Sequence, residues 1–179
     1  FVNKLWNISR YILTFSEEVA HGHEKAKHTL ADEWILSRLN TTIEAVTKHI
    51  DAFQFSHAAE ELRRFTWDDL ADWYLEIAKI EGNKRDVALH ILDSVLALWH
   101  PFTPFVTETI YQLRRNLLTA DEMKHAKEFL MITAWPVADT KKISDKAEKE
   151  FAIIKEVIQV IRNARAENHI APAQKIQAV

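Results

Sequence analysis

The apolar residues of this chain recur at the spacing of α-helices along most of its length. From residue 1 to residue 19 they lie alternately four and three positions apart, which places them on one stripe of a helix. The members of this stripe are Phe1, Leu5, Ile8, Ile12, Phe15 and Val19. The same periodicity predicts a second helix from about Asp32 to Ile50. Asp32 and Glu33 would then lie near its positive N-terminal end.

Signals for helix starts and stops divide the centre of the chain into three more helices. Ser56 is placed to cap a long third helix that runs to about Ile80. Asn83 follows a glycine and is placed to cap a fourth helix, which Pro101 ends. The pair Thr103-Pro104 has the cap and first-turn residues that begin a fifth helix.

The helical pattern weakens after about residue 118. Residues 131–133 (MIT) predict a short strand, and residues 135–142 read as a linker. Ser144 is placed to cap a last helix, whose inward residues we expect to be Phe151, Ile154, Ile158 and Ile161. Pro172 follows that helix, and residues 175–179 have the composition to open another strand.

The composition favours helices as well. The chain has two glycines and four prolines in 179 residues, whereas sheet-rich folds need many tight turns that consume glycine. We therefore predict an all-α fold. A helical bundle would occupy residues 1–130, followed by a linker, a long helix and the truncated start of a small α/β domain in residues 131–179.

Bulk properties exclude several classes of protein. The absence of cysteine rules out disulfides and Cys-ligated metals, and no apolar run reaches the roughly 20 residues of a membrane span. We expect a cytoplasmic protein with no membrane partner. The first residue is not methionine and helical periodicity begins at once, as in a segment taken from a longer chain. A net charge of −3 gives no general support for nucleic-acid binding, so that reading has to rest on local residues.

The first helix carries such a local signal opposite its apolar stripe. Asn3, Asn7, Arg10 and Thr14 lie on one face, and the first sixteen residues contain no acid. Amides, a hydroxyl and an arginine suit hydrogen bonds to RNA bases, while nearby Lys4 suits a phosphate. We call Asn3, Asn7, Arg10 and Thr14 the polar ridge. The alternative is that this face packs against a neighbouring domain.

Other candidate clusters favour structural readings. We expect His21, His23 and His28 to be solvated rather than to bind metal, because further ligands are missing. Three carboxylates on one helical face predict a hydrated surface with basic neighbours. These residues are Asp68, Asp72 and Glu76, with Arg63, Arg64 and Lys79 nearby. Most of the central aromatic set we expect in the core: Trp67, Trp73, Tyr74, Trp99, Phe102 and Phe105. No Gly-rich phosphate loop or nucleophile motif is present, so we predict no catalytic residues.

Several segments, taken together and in order, resemble the anticodon-binding domain of the large class I synthetases for valine, isoleucine and leucine. They are residues 1–11 (FVNKLWNISRY), 32–39 (DEWILSRL), 65–76 (FTWDDLADWYLE), 100–108 (HPFTPFVTE) and Trp135-Pro136. Residues 72–76 (DWYLE) and 161–172 (IRNARAENHIAP) are most similar to the valyl-tRNA synthetase family. Residue 71 departs from many relatives, which have cysteine or serine where this chain has Ala71.

The resemblance implies a non-catalytic part of a larger enzyme that attaches valine to tRNA(Val) with ATP. ATP and Mg would belong to the absent catalytic domain, and this segment would hold no cofactor. Its partners would be tRNA(Val) and the missing catalytic and C-terminal domains. The implied RNA contacts are Arg10, Asn3, Asn7 and Thr14, with Lys4 on a phosphate and Trp34 and Arg38 for stacking or backbone contact. The alternatives are the isoleucyl or leucyl version, a free-standing protein-binding scaffold and a metal-dependent bundle enzyme.

Overall fold

The computed structural model describes residues 2–18, 28–82, 84–171 and 174. Its α-helices are α1 (Val2–Glu18), α2 (Leu30–Asp51), α3 (Phe55–Arg64), α4 (Leu75–Glu81), α5 (Arg85–Trp99), α6 (Pro104–Arg115), α7 (Ala120–His125) and α8 (Asp145–Glu167). A π-helical segment (Phe65–Tyr74) joins α3 to α4 without a break, and Leu130–Ile132 and Thr140–Lys142 form 3-10 turns. Within these described ranges there is no strand. The predicted all-α class is confirmed.

The predicted helix boundaries hold at several positions. Thr103 precedes α6, which begins with Pro104, and the Ser144 hydroxyl accepts a hydrogen bond from the backbone N–H of Ala147 at the start of α8. Gly82 ends α4 with a φ of 66°, a left-handed value that glycine adopts without strain. Ser56 was the wrong cap, because α3 begins one residue earlier, at Phe55. Residues 21–23, Asn83, Pro172 and residues 175–179 lie outside the described ranges.

The strand predicted at residues 131–133 is absent, and this prediction is wrong. Leu130–Ile132 form a 3-10 turn instead. The side chain of Leu130 is buried, and its backbone N–H donates to Glu108 Oε2 of α6 over 2.9 Å. One buried side chain and one backbone hydrogen bond therefore hold this turn against the bundle. These contacts do not require the segment to pair with a strand.

Helix α2 lies at the centre of the bundle. It packs against α3, the π-helical segment, α5, α8 and the turn at Thr140–Lys142. Its buried residues extend around most of its circumference and include polar ones: Ala31, Asp32, Trp34, Ile35, Leu36, Ser37, Leu39, Asn40, Thr42, Ile43 and Val46. Only a narrow polar face, which includes Glu33, Glu44 and Lys48, stays exposed, whereas an ordinary amphipathic helix has a broad one.

The N-terminal end of α2 is held by a buried ion pair. Asp32 is 2% exposed and accepts hydrogen bonds from the Tyr74 hydroxyl at 2.8 Å and Lys84 Nζ at 2.6 Å. Burial alone would raise the pKa of Asp32, but hydrogen bonds from Lys84, the Thr29 backbone and Tyr74 hold that pKa below its ordinary value. Burial and the Asp32 charge raise the pKa of Tyr74. The pair ties α2 to the π-helical segment and to the start of α5.

The linker between α7 and α8 is anchored along α2. Trp135 Nε1 donates to Thr47 Oγ1 at 2.9 Å, and the backbone N–H of Asp139 donates to Asn40 Oδ1 at 2.7 Å. The backbone N–H of Ser144 donates to Ser37 Oγ at 2.9 Å. These bonds lead the linker back along the helix and place the first turns of α8 on α2.

Only the beginning of α8 belongs to the core. Phe151 is buried and stacks on Trp34, with ring centroids 3.9 Å apart. Ile154 and Ile161, predicted to point inward, are 39% and 49% exposed, so that part of the prediction is wrong. Their spacing from Phe151 is helical, but packing covers only Phe151, which is 2% exposed. The hydrophobic core nonetheless includes Phe151 and therefore extends past residue 130.

None of the helices in the described ranges combines the length and the apolar character that crossing a bilayer requires.

We expect Phe151→Ala to lower the free energy of unfolding by about 3–5 kcal/mol, because it removes a buried ring stacked on Trp34. Urea denaturation of the 179-residue chain measures this change. The control is Ile161→Ala on the exposed part of the same helix, where a change within about 0.5 kcal/mol is expected. Equal losses in the two variants would contradict the packing of α8 on α2.

Candidate nucleic-acid interface

The polar ridge lies on the outer face of α1. This helix packs on α5 and α6 through Leu5, Ile8 and Ile12, all of which are buried. Asn3, Asn7, Arg10 and Thr14 are exposed on the opposite side. The structure therefore brings the four predicted residues together on one open helix face, while their contact with RNA stays a prediction.

The ridge side chains have no internal partners among the residues that the structure describes. In the described part of the chain, none of the four makes a side-chain hydrogen bond or an ion pair. Other arginines behave differently, since Arg63 binds Glu60 and Arg114 binds Asp93. The hydrogen-bonding groups of the ridge are consequently available to a ligand.

Lys4 lies beside the ridge and is already engaged. Its Nζ is 3.2 Å from Asp72 Oδ1 and 5.8 Å from the ring centroid of Trp67. Its side chain is still 39% exposed. An exposed pair of this kind is weak, so the predicted phosphate contact would have to compete with Asp72.

A groove runs along the other side of the ridge, between α1 and α6. It has a volume of about 210 Å³ and shares Arg10 and Thr14 with the ridge. The remaining lining residues are Trp6, Ser9, Leu13, Ile110, Leu113 and Asn116. Local sequence patterns do not reveal this groove, because the α6 residues lie about 100 positions from those of α1. The available signal was Trp6, an aromatic residue off the apolar stripe of α1.

Trp34 is not an RNA-stacking residue, which corrects the sequence-based expectation. It is 3% exposed and stacks on Phe151. Lys155 Nζ lies 4.3 Å from its ring centroid. Because other side chains of the bundle cover the indole, no face is left for a base.

Arg38 is likewise occupied by the protein. Its Nε lies 3.0 Å from Asp69 Oδ2, and its Nη1 lies 3.6 Å from Glu148 Oε2. Burial opposes the charge of Arg38, but Asp69 and Glu148 outweigh it and raise the pKa of the guanidinium. Lys155 also reaches Asp69, at 3.0 Å. This cluster joins α2, the π-helical segment and α8, which gives Arg38 a structural role, while its contact with RNA stays a prediction.

The carboxylate face has the predicted character. Asp68, Asp72 and Glu76 are exposed, and each has a basic neighbour. Arg63 lies 3.9 Å from Asp68, Lys4 pairs with Asp72, and Lys79 pairs with Glu76. This is a hydrated, charge-paired surface.

Most of the aromatic set packs in or against the core, as expected. Tyr74 and Trp99 are buried, while Trp67, Trp73 and Phe102 are partly buried against the core. Phe105 is the exception at 88% exposed. Its place in the first turn of α6 puts the ring outside the bundle.

No group of three or more potential metal ligands occurs within the described ranges. Of the three loop histidines considered as ligands, His21 and His23 lie outside those ranges, and His28 is exposed.

Comparisons with known proteins show the family of this chain. The family model described as the anticodon-binding domain of tRNA ligase matches residues 32–179. The chain belongs to this family. The matched range begins within α2, so the ridge on α1 precedes it.

Whole-chain relatives extend the comparison to the ridge. Valine–tRNA ligase from Bacillus cereus is 34% identical over an alignment that covers 99% of this chain and 20% of that protein. Valine–tRNA ligase from Geobacillus stearothermophilus is 35% identical, with 98% and 20% covered. This anticodon-binding domain thus spans about a fifth of the length of these curated relatives.

A solved structure supports the fold. The crystal structure of a ternary complex of Agrobacterium radiobacter LeuRS, tRNA and LeuAMS matches with a TM-score of 0.58 at 16% identity. The match covers 80% of this chain and 16% of that one. At this identity, the likeness concerns the fold alone.

A matched pair of substitutions tests the different roles of two arginines. We expect Arg38→Met to reduce the free energy of unfolding by about 1.5–3 kcal/mol, because it removes hydrogen bonding to the buried Asp69 carboxylate. Arg10→Met should change it by no more than about 0.5 kcal/mol, because Arg10 has no partner among the described residues. Urea denaturation of both variants measures these changes. A larger loss of unfolding free energy in Arg10→Met than in Arg38→Met would contradict the two roles.

Proposed function

We propose that this domain binds the anticodon loop of tRNA(Val) as part of a longer valine–tRNA ligase. The support for valine is that relatives named valine–tRNA ligase align with 98–99% of the chain at 34–35% identity. The support for a loop contact is the polar ridge itself. Its four exposed side chains lack internal partners among the described residues.

The chemistry of the ridge fits single-stranded RNA. In a loop, unstacked bases present their hydrogen-bonding edges, whereas the deep groove of an RNA duplex hides them. The carboxamides of Asn3 and Asn7 can both donate and accept, and the Arg10 guanidinium can bind a base edge or a phosphate. The net charge of −3 is not an obstacle, because α1 contains no acid before Glu17.

In the longer protein, loop binding would hold the acceptor end of the tRNA in a catalytic domain. ATP, Mg and valine would bind there, and the working compartment would be the cytoplasm. The domain itself would contribute binding and orientation rather than catalytic groups.

The first test is RNA binding by variants of the ridge. We expect Arg10→Ala to weaken binding of a tRNA(Val) anticodon stem-loop by about 1–3 kcal/mol, because a guanidinium contact to the loop is lost. Asp68→Ala removes a charged side chain from the hydrated carboxylate face and should not weaken binding. Fluorescence anisotropy with a labelled stem-loop at low salt measures both.

Competition with the stem-loops of tRNA(Ile) and tRNA(Leu) identifies the cognate RNA. Preference for either of these would replace the valine assignment by the corresponding alternative. Equal losses for Arg10→Ala and Asp68→Ala would remove the polar ridge as the binding surface.

The second test concerns the longer protein. We expect the full-length protein to attach valine, and neither isoleucine nor leucine, to its tRNA in the presence of ATP and Mg. In that protein, Arg10→Ala should reduce kcat/KM for tRNA, while valine-dependent ATP–pyrophosphate exchange stays unchanged, because the exchange needs no anticodon contact. A matching fall in the exchange rate would show that the substitution damages the catalytic domain instead.

A further inference from the structure

We propose that the groove between α1 and α6 receives one unstacked base of the RNA loop that the polar ridge binds. This inference rests on the proposed function and deepens it by assigning a base-binding subsite. It also adds two residues that the ridge does not contain, Trp6 and Asn116.

The walls of the groove suit a flat aromatic ring. Trp6 is 37% exposed and Leu113 is 43% exposed, while Leu13 and Ile110 form a buried floor. The volume of about 210 Å³ lies below the ~300–1,000 Å³ usual for sites that enclose a whole small-molecule ligand. A single base entering from a longer RNA strand fits this size, and its face can stack on the Trp6 indole.

The mouth of the groove suits the polar edge and backbone of a nucleotide. Asn116 is exposed at the C-terminal end of α6, and within the described residues its carboxamide makes no hydrogen bond. An amide can donate and accept at once, which lets it pair with a base edge. Arg10 and Thr14 form the opposite rim, so the phosphate and sugar of the same nucleotide would lie on the ridge.

The charge of the lining favours a nucleotide over an apolar peptide. The lining contains one cation, Arg10, and no carboxylate. The neighbouring groove on α6 differs, because Glu108 lies in its wall and would repel a phosphate. A peptide helix binds in a long groove with an apolar lining. This groove is short, and its lining includes four polar or charged residues: Ser9, Arg10, Thr14 and Asn116.

The experiment follows the groove and the ridge separately in one titration. The ¹⁵N-labelled 179-residue chain is titrated with the tRNA(Val) anticodon stem-loop, and with a control hairpin that has the same stem and a different, tightly stacked loop. We expect the indole N–H of Trp6 and the carboxamide of Asn116 to shift with the anticodon stem-loop, together with the side chains of Asn3 and Asn7. The control hairpin should leave the groove signals in place.

Two variants test the subsite by affinity. Asn116→Leu removes the amide at constant size and should weaken binding at least fivefold, with reduced discrimination among loops that differ at one base. Leu113→Trp narrows the groove and should weaken binding to a similar extent. Both positions are exposed, so the free energy of unfolding, measured by urea denaturation, should stay unchanged in both variants. Phe55→Leu is the matched control, since it removes a 53% exposed ring at the start of α3.

The possible results separate the two proposals. If the ridge signals shift but the Trp6 and Asn116 signals do not, and both variants keep the original affinity, the groove inference is overturned and the ridge function stands. If the anticodon stem-loop shifts neither set of signals, the proposed function itself fails. Shifts in both sets of signals support the subsite if Asn116→Leu and Leu113→Trp also weaken RNA binding while Phe55→Leu does not.

Discussion

The architecture depends on hydrogen bonding to the polar side chains of the enclosed helix α2. A buried polar group without a partner is costly. The Thr42 hydroxyl donates to the Arg38 carbonyl within α2, whereas Asp32, Ser37 and Asn40 have partners on other elements. Asp32 binds Tyr74 and Lys84, while Asn40 and Ser37 accept from the backbone of the linker before α8. Because these partners come from distant parts of the chain, the hydrogen bonds to the polar side chains of α2 also position the π-helical segment, α5 and α8.

This arrangement explains why two arginines with similar sequence surroundings differ in role. Arg38 lies on the enclosed helix, where Asp69 and Glu148 surround it and join three elements. Arg10 lies on α1, a helix at the edge of the bundle that is covered by α5 and α6 on one side. The guanidinium of Arg10 is left available because the core is complete without it. A ligand can bind such a group without breaking an internal interaction.

Much of the helical layout was accessible from local patterns. The bounds of α1 and α2, the Thr103-Pro104 start of α6 and the Ser144 cap of α8 follow from periodicity and capping within a few residues. The polar ridge was accessible for the same reason, since its members belong to one helix. Trp34 was harder, because an aromatic residue on a helix has the same local pattern whether a base or Phe151 covers it. The α1–α6 groove was beyond local reasoning, since Trp6 and Asn116 meet only in the folded chain.

The order of residues in this chain was sufficient to specify most of its long helices, its lack of sheet-forming turns and one helix face rich in amides, but not the short helix α7 or the π-helical segment. These features depend on contacts between residues three or four positions apart, which a linear pattern records. The burial of Trp34, the pairing of Arg38 with Asp69 and the exposure of Ile161 depended on how separate helices pack. Such contacts join residues dozens of positions apart, and their geometry exists only after the chain has folded around α2.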